Sequence, residues 1–363
     1  MKLPIRIYDT FLFDGELDLL EHRLRQNFEA TDVFVLIEAA ETYRGKKKPL
    51  VFAENRSRFE WAAHKIRAIQ LASLGNAKAD PRLRAAVQRN ALVMALHDAS
   101  KDDVILILDA DEIPSRRILA QLRTQGLAEP HRLAMTRHYQ YLNLVAPAST
   151  CCIDRSQPFE FAADRLQPHG WEPGHTWSGR SGIALPLSYL HAEKGRSPFQ
   201  WRFGGDIKKV LPNAGRHLTA VDPSAHLVRK MGRVFHTEWA TERGVYPPHL
   251  FRCEQHGVHH RGWWYAEFVP GNLPEDLASL ATAYPATLRS EDLPAMWRRH
   301  CVRTWAWVRQ NERLTDAQVK NIDDHFDALL PLLAPTFLIL DGVRFLVSHT
   351  LKRMRSKVNS PDC

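Results

Sequence analysis

The stretch DDVILILDADEIP, residues 102–114, decides the fold. Five apolar residues, Val104 to Leu108, run unbroken between charged flanks. That length and β-branched content predict a strand buried on both faces, as in a parallel sheet. The strand then delivers Asp109, Ala110, Asp111 and Glu112 in succession, and Pro114 is expected to stop it. Ligands of open α/β sheets bind outside the carboxyl ends of the strands, so acids at this end mark a candidate site. One carboxylate can hold a hard cation while another meets a ligand hydroxyl. The alternative is a solvated strand end that happens to be acidic.

Outward from this stretch the same alternation continues. Ile5–Tyr8 reads as a first strand, and GELDLLEHRLRQNF follows with Leu17, Leu20, Leu24 and Phe28 on one helical face. Residues 32–39 read as a second buried strand, and TYRGKKKPL as a loop carrying Lys46, Lys47 and Lys48. Arg56–Lys65 looks helical and Ile66–Leu71 a short strand. Pro81 opens a helix, where its missing N–H costs nothing, with Leu83, Val87, Ala91 and Met94 as its apolar stripe. Ser115 can cap the helix that leaves the acidic strand. Strand–helix–strand alternation over the first 125 or so residues predicts a parallel sheet with right-handed crossovers.

From HRLAMTRHYQYLNL onward the pattern changes. Leu133, Met135, Arg137, Tyr139 and Tyr141 alternate with their neighbours, which suggests one strand with two different faces. Ser149 to about Pro270 is rich in Trp, Gly, Pro and His with little periodicity, and six of the ten tryptophans lie between Trp171 and Trp264. Such rings can offer flat apolar faces to a ligand, Trp177 being the first to test, although large aromatics are mostly core. Beyond Glu291 the chain reads as helical and ends in the basic LKRMRSK.

A chain of 363 residues has ample length for a full core. Its net charge of +8 and pI of about 9.3 favour anionic partners. The positive charge is spread out and forms no recognition motif, which argues against nucleic acid. The five cysteines (Cys151, Cys152, Cys253, Cys301, Cys363) are odd in number and lack C-x-x-C spacing, against a disulfide framework or a zinc knuckle. The first residues do not read as a signal peptide, and no window reaches the ~20 apolar residues of a membrane span. A cytosolic protein is expected.

An acidic strand end suits two chemistries. A cation held by Asp111 can bridge the phosphates of a nucleotide diphosphate as that group departs. A phosphatase also places D-x-D after an apolar strand, but there the strand normally opens the domain and a Gly/Thr turn follows. About a hundred residues precede the motif here, and Glu-Ile-Pro follows it.

Six pieces in fixed order carry a resemblance: IYDTFLFDGELDLLEHRL (7–24), VLIEAAETYRGKKKPLVFAEN (35–55), QRNALVMAL (88–96), DDVILILDADEIP (102–114), NAGRHLT (213–219) and RVFHTEW (233–239). Together they resemble glycosyltransferase family 17 and its bacterial relatives, over roughly residues 5–285. The resemblance implies a glycosyltransferase A-type fold, a nucleotide-sugar donor, a divalent cation (Mn²⁺ or Mg²⁺) and inversion at the anomeric carbon. One departure is Gly215-Arg216-His217, where the family usually has Gly-Trp-His.

By that likeness Asp109 and Asp111 meet the donor ribose and the metal. Arg89 can reach the diphosphate with its bidentate fork, or else pairs with Asp98 or Asp102. Lys46–Lys48 fringe the phosphates or form a solvated loop. His217 and His236 are the nitrogen candidates that would join Asp111 on the metal. The general base for the acceptor hydroxyl is expected at Glu238, with Asp206, after Gly204-Gly205, as its rival. His259, His260 and Arg261 lack metal-ligand spacing and are set aside.

The expectation is a mostly parallel, Rossmann-like α/β sheet flanked by helices over residues 1–290, with a helical C-terminal extension over 291–363. It would move a sugar, with N-acetylglucosamine as the expected one, from a UDP-type donor to a glycan or lipid-linked acceptor. The basic C-terminus is a candidate for peripheral membrane contact. The rivals are a metal-dependent phosphohydrolase and a non-catalytic carbohydrate- or nucleotide-binding module on the same fold.

Overall fold

The computed structural model describes residues 4–146, 176–177, 182–191, 196–203, 207–221, 246–262, 264–271, 273–309, 314–340 and 343. Strand β1 (Ile7–Leu12) lies between β2 (Val33–Ala39) and β4 (Val104–Asp109), parallel to both, and β3 (Ile66–Leu71) continues beyond β2 in parallel. β1, β2 and β4 are buried almost throughout because both of their faces are covered, whereas β3 at the sheet edge is only partly buried. Leu106 and Leu108 face one layer with Phe11, Leu20, Leu24 and Leu119. Ile105 and Ile107 face the other with Tyr8, Val35, Leu92 and Trp201. The period of two sends alternate residues to opposite cores.

The parallel character stops at β4. β9 (Ile183–Pro186) pairs with β4 antiparallel and carries the sheet to β6 (His131–Tyr139), β7 (Tyr141–Val145) and β11 (Glu267–Phe268). β10 (Lys209–Thr219) runs parallel to β6 and antiparallel to β5 (Glu112–Pro114), and β8 (Thr176–Trp177) flanks β6. The result is a mixed α/β sheet with helices on its faces.

Three expectations change. The acidic strand breaks before Pro114: β4 stops at Asp109, the chain turns at Ala110–Asp111, and a short β5 runs on to end at Pro114, with Leu218 N–H holding the turn through Asp111 C=O at 2.7 Å. The strand predicted through Tyr141 is a hairpin, because Gln140 takes φ 65° and Tyr139 faces Tyr141 across it. The helix α2 (Pro81–Asn90) is inverted. Leu83, Val87 and Met94 are exposed at 62, 45 and 66%, while Arg84, Gln88 and Arg89 point inward. Buried partners explain this: Arg84 bonds Glu41 at 2.7 Å and Arg89 bonds Asp109.

Other expectations match. Ser115 accepts from Ile118 N–H at the start of α3 (Arg116–Gln125), and Pro81 opens α2. Beyond residue 290, α7 (Met296–Val308), α8 (Asp316–Asp324) and the helical residues 326–340 share one core with Cys253 of α5 (Pro247–Gln255), built around Trp305, Phe326 and Phe337. Cys253 and Cys301 are buried free thiols. No helix among the described residues is long and apolar enough to cross a membrane.

Candidate active site

The carboxyl ends of the parallel strands β1, β2 and β4 lie at one edge of the sheet, and the acidic turn 109–112 leaves β4 there. It is held from beneath by Arg23 of α1 (Leu17–Asn27), which is fully buried. Asp9 grips this guanidinium through two bonds of 2.8 and 2.5 Å. Its remaining N–H group reaches three carbonyls, those of Asp109, Ala110 and Glu112, at 3.1, 3.2 and 2.8 Å. Buried carbonyls without such partners would carry a desolvation cost of ~1–3 kcal/mol each. The turn is shaped by this arginine before any ligand arrives.

On the far side β10 pins the turn. Gly215 pairs with Pro114 and His217 with Glu112. Gly215 takes φ +150°, and a Cβ there would fall 2.1 Å from the Ile113 carbonyl. A glycine is required by both conformation and space.

The side chains of the turn diverge. Asp109 accepts from Arg89 and, at 3.3 Å, from Arg202; its side chain remains 38% exposed. Burial works to raise its pKa, but Arg89 and Arg202 outweigh it and hold the carboxyl below the usual range. Glu112 is fully buried, bonds Arg202 at 2.6 Å and accepts from the backbone N–H of Asp109 at 3.0 Å. Burial, with the nearby Asp109 and Asp111 against Arg202, pushes its pKa up to about 7. His217 stands 3.8 Å from Asp111 through Nε2 and 3.9 Å from Glu112 through Nδ1. Burial drives its pKa down to about 3 against the pull of Asp111, leaving a neutral imidazole able to donate a lone pair.

Asp109, Asp111, Arg89 and His217 therefore come together, and Arg89 bonds the acidic turn instead of Asp98 or Asp102. Asp98 is taken by Arg6 and Arg67. Lys48 turns in to Asp14 at 2.6 Å with its side chain only 8% exposed, while Lys47 pairs with Glu41. Only Lys46 of the three behaves as plain loop surface. His236, Glu238 and Asp206 lie outside the described residues. For Trp177 only the backbone is described, opposite Met135 in the β6–β8 register. His260 meets the Tyr139 hydroxyl at 3.2 Å, and His249 bonds the His260 carbonyl at 2.9 Å.

Four contributors were not foreseen. Arg202 sits in the aperiodic stretch, and nothing in its neighbourhood announces it. Tyr43 feels the charges of Arg89, Asp109, Asp14 and Glu16, which places it beside the acidic turn. Arg23 and Asp9 had a signal: Arg23 falls three residues after Leu20 on the apolar face of α1, and a charge there needs a buried partner.

Asp111 and His217 supply two donors suited to a divalent cation. Among the described residues no group of three or more His, Cys, Asp or Glu side chains is disposed to hold one. A cation would need further ligands from elsewhere, from solvent or from the substrate's phosphates.

The sequence profile of glycosyltransferase family 17 matches residues 1–145. The match covers 145 of the chain's 363 residues. The matched segment contains Asp9, Arg23, Tyr43, Arg89 and the acidic turn. The Gly-Arg-His piece, the Phe235-His236-Thr237 piece and Arg202 fall beyond it. The rat and human β-1,4-mannosyl-glycoprotein 4-β-N-acetylglucosaminyltransferases are 29 and 31% identical over 170 residues, 43% of this chain and 31 and 32% of theirs. The mouse protein is 30% identical over 145 residues, 38% of this chain and 27% of its own. The chain thus spans about a third of the length of these relatives.

Arg216, the departure from the family's usual tryptophan, points away from this site. Successive residues of a strand face opposite sides, and Arg216 bonds Asp276 of α6 (Glu275–Ala283) at 2.8 Å on the reverse of β10.

Proposed function

We propose that the protein is a metal-dependent, inverting glycosyltransferase with a glycosyltransferase A-type catalytic sheet. It would take a nucleotide-diphosphate sugar, most simply a UDP-sugar carrying N-acetylglucosamine, and a glycan or lipid-linked acceptor. One observation carries the reading: an aspartate ending β4 that two arginines clamp, and a second in the turn just after it beside a neutral histidine, both in the segment that matches the family 17 profile.

The roles follow from the environments. Asp109, kept ionised by Arg89 and Arg202, accepts hydrogen bonds from ribose hydroxyls. Asp111 and His217 would hold Mn²⁺ or Mg²⁺, whose charge would offset that of a departing diphosphate. Tyr43 and Lys48, on the loop after β2, border the nucleotide. Glu112, tied to Arg202 and to the Asp109 N–H, keeps the turn in shape without touching substrate. Glu238 or Asp206 would take the proton from the acceptor hydroxyl, His236 would add a further metal ligand, and a lipid-linked acceptor would bring the basic C-terminus to the cytosolic face of a membrane.

The test is incubation with UDP-sugars and Mn²⁺ without acceptor. Release of UDP and free sugar is expected. Release of inorganic phosphate alone would favour a phosphohydrolase, and no turnover in either wild type or Asp111→Ala would leave a binding module.

A further inference from the structure

The reverse side of β10 holds a groove of about 810 Å³. Arg216 enters it from β10, α1 lines it with Asp18, Glu21 and His22, and Ser279 of α6 and Tyr284 close the opposite wall. The acidic turn lies on the other side of the strand, so the groove is separated from the candidate active site by β10 and β5.

Its chemistry selects a ligand. Four carboxylates (Asp18, Glu21, Glu275, Asp276) line the groove with three arginines (Arg25, Arg116, Arg216), and Arg58 bonds both Asp18 and Glu21. The charges cancel, so an anionic ligand gains nothing from the lining as a whole. The pairs hold one another in place: Arg216 on Asp276 at 2.8 Å, Arg25 on Glu21 at 2.7 Å. A neutral polyol would meet donors and acceptors already oriented, without the ordering cost that weakens flexible sites. Leu280, Ala283 and the Tyr284 ring supply an apolar strip for the face of a sugar ring.

One atom is left waiting. His22 is 8% exposed, and its Nε2 has no hydrogen-bond partner in the protein. Buried polar atoms nearly always have one, and a hydroxyl in the groove would provide it. Burial also lowers the pKa of His22, so the ring is neutral and can serve an uncharged ligand as either donor or acceptor.

We infer that this groove is a second carbohydrate-binding site, taking an uncharged stretch of glycan away from the acidic turn. That such a stretch belongs to the acceptor chain rests on the transferase reading; the binding itself does not.

The full chain should be titrated with chitotriose, mannotriose, maltotriose and, as the anionic control, trigalacturonate, by calorimetry and saturation-transfer NMR. Ser279→Trp fills the groove without removing an ion pair, and Arg216→Ala removes a donor. At least one neutral trisaccharide should bind, at least tenfold more weakly to each variant, while the melting shift given by UDP with Mn²⁺ stays unchanged in both. Binding of no neutral trisaccharide, full-strength binding to Ser279→Trp, or tighter binding of trigalacturonate would overturn the inference. If trisaccharides bind as expected but UDP with Mn²⁺ gives no shift to the wild type, the groove stands and the transferase reading falls.

Discussion

Two carboxylates, Asp109 at the end of β4 and Asp323 in α8, are built from the same parts and end in opposite states. Each is held by two arginines. Asp323 accepts from Arg309 at 2.6 Å, from Trp305 at 2.9 Å and from Arg252 at 3.4 Å, with its side chain fully buried. Burial there raises the pKa despite the arginines. Asp109 is 38% exposed, its pKa is lowered, and Arg89 beside it keeps a buried Nε with no hydrogen-bond partner. A closed shell of donors around a dry carboxylate makes a staple. An open shell, with solvent access and a donor to spare, makes a place for something else to bind.

The sharpest way to break this contrast is Asp323→Ala. Removing one partner of a buried pair leaves Arg309 uncompensated, and a loss of about 3–5 kcal/mol is expected, read by chemical denaturation. Donor binding by the surviving folded fraction should not change. Asp111→Ala is the converse: the melting temperature should stay within a few degrees of wild type, while UDP release from a UDP-sugar falls about 10²–10³-fold, or about 3–4 kcal/mol of transition-state stabilisation. If that variant unfolds and Asp323→Ala does not, the two sites have been assigned the wrong way round.

Glu112 gives a test in pH. Its folded pKa of about 7 lies above the ordinary 4.5. Between those values the folded state keeps a proton that the unfolded chain has lost, so stability from this group is full below about pH 4.5 and falls as pH rises to about 7. Glu112→Gln cannot titrate and should flatten the denaturation free energy across that window. An unchanged slope would mean that Glu112 is ionised when folded. The smallest effect sets the scale: Ser115→Ala removes the cap of α3 just past the acidic turn and should cost about 1 kcal/mol, leaving UDP binding intact.

What could be read beforehand follows from the reach of each physical signal. Val104–Leu108 and Ile66–Leu71 announce themselves because strand period and β-branched content are local. The acidic end of β4 is legible because it directly follows such a run. The inward turn of Arg84 and Arg89 is not, since their partners Glu41 and Asp109 lie far off in sequence and override the apolar stripe of α2. Arg202 meets Asp109 across 93 residues of chain, a distance over which no periodicity speaks. The β6–β7 hairpin was hidden because Gln140, not a usual turn residue, adopts the left-handed conformation there.

Gly215 carries a consequence for variation. Any side chain at that position would wedge β5 away from β10 and let the carboxylates behind it drift. A saturation library selected for activity should return glycine alone at 215. At Arg216 next door, whose side chain leaves on the other side of the strand, many residues should keep UDP binding intact.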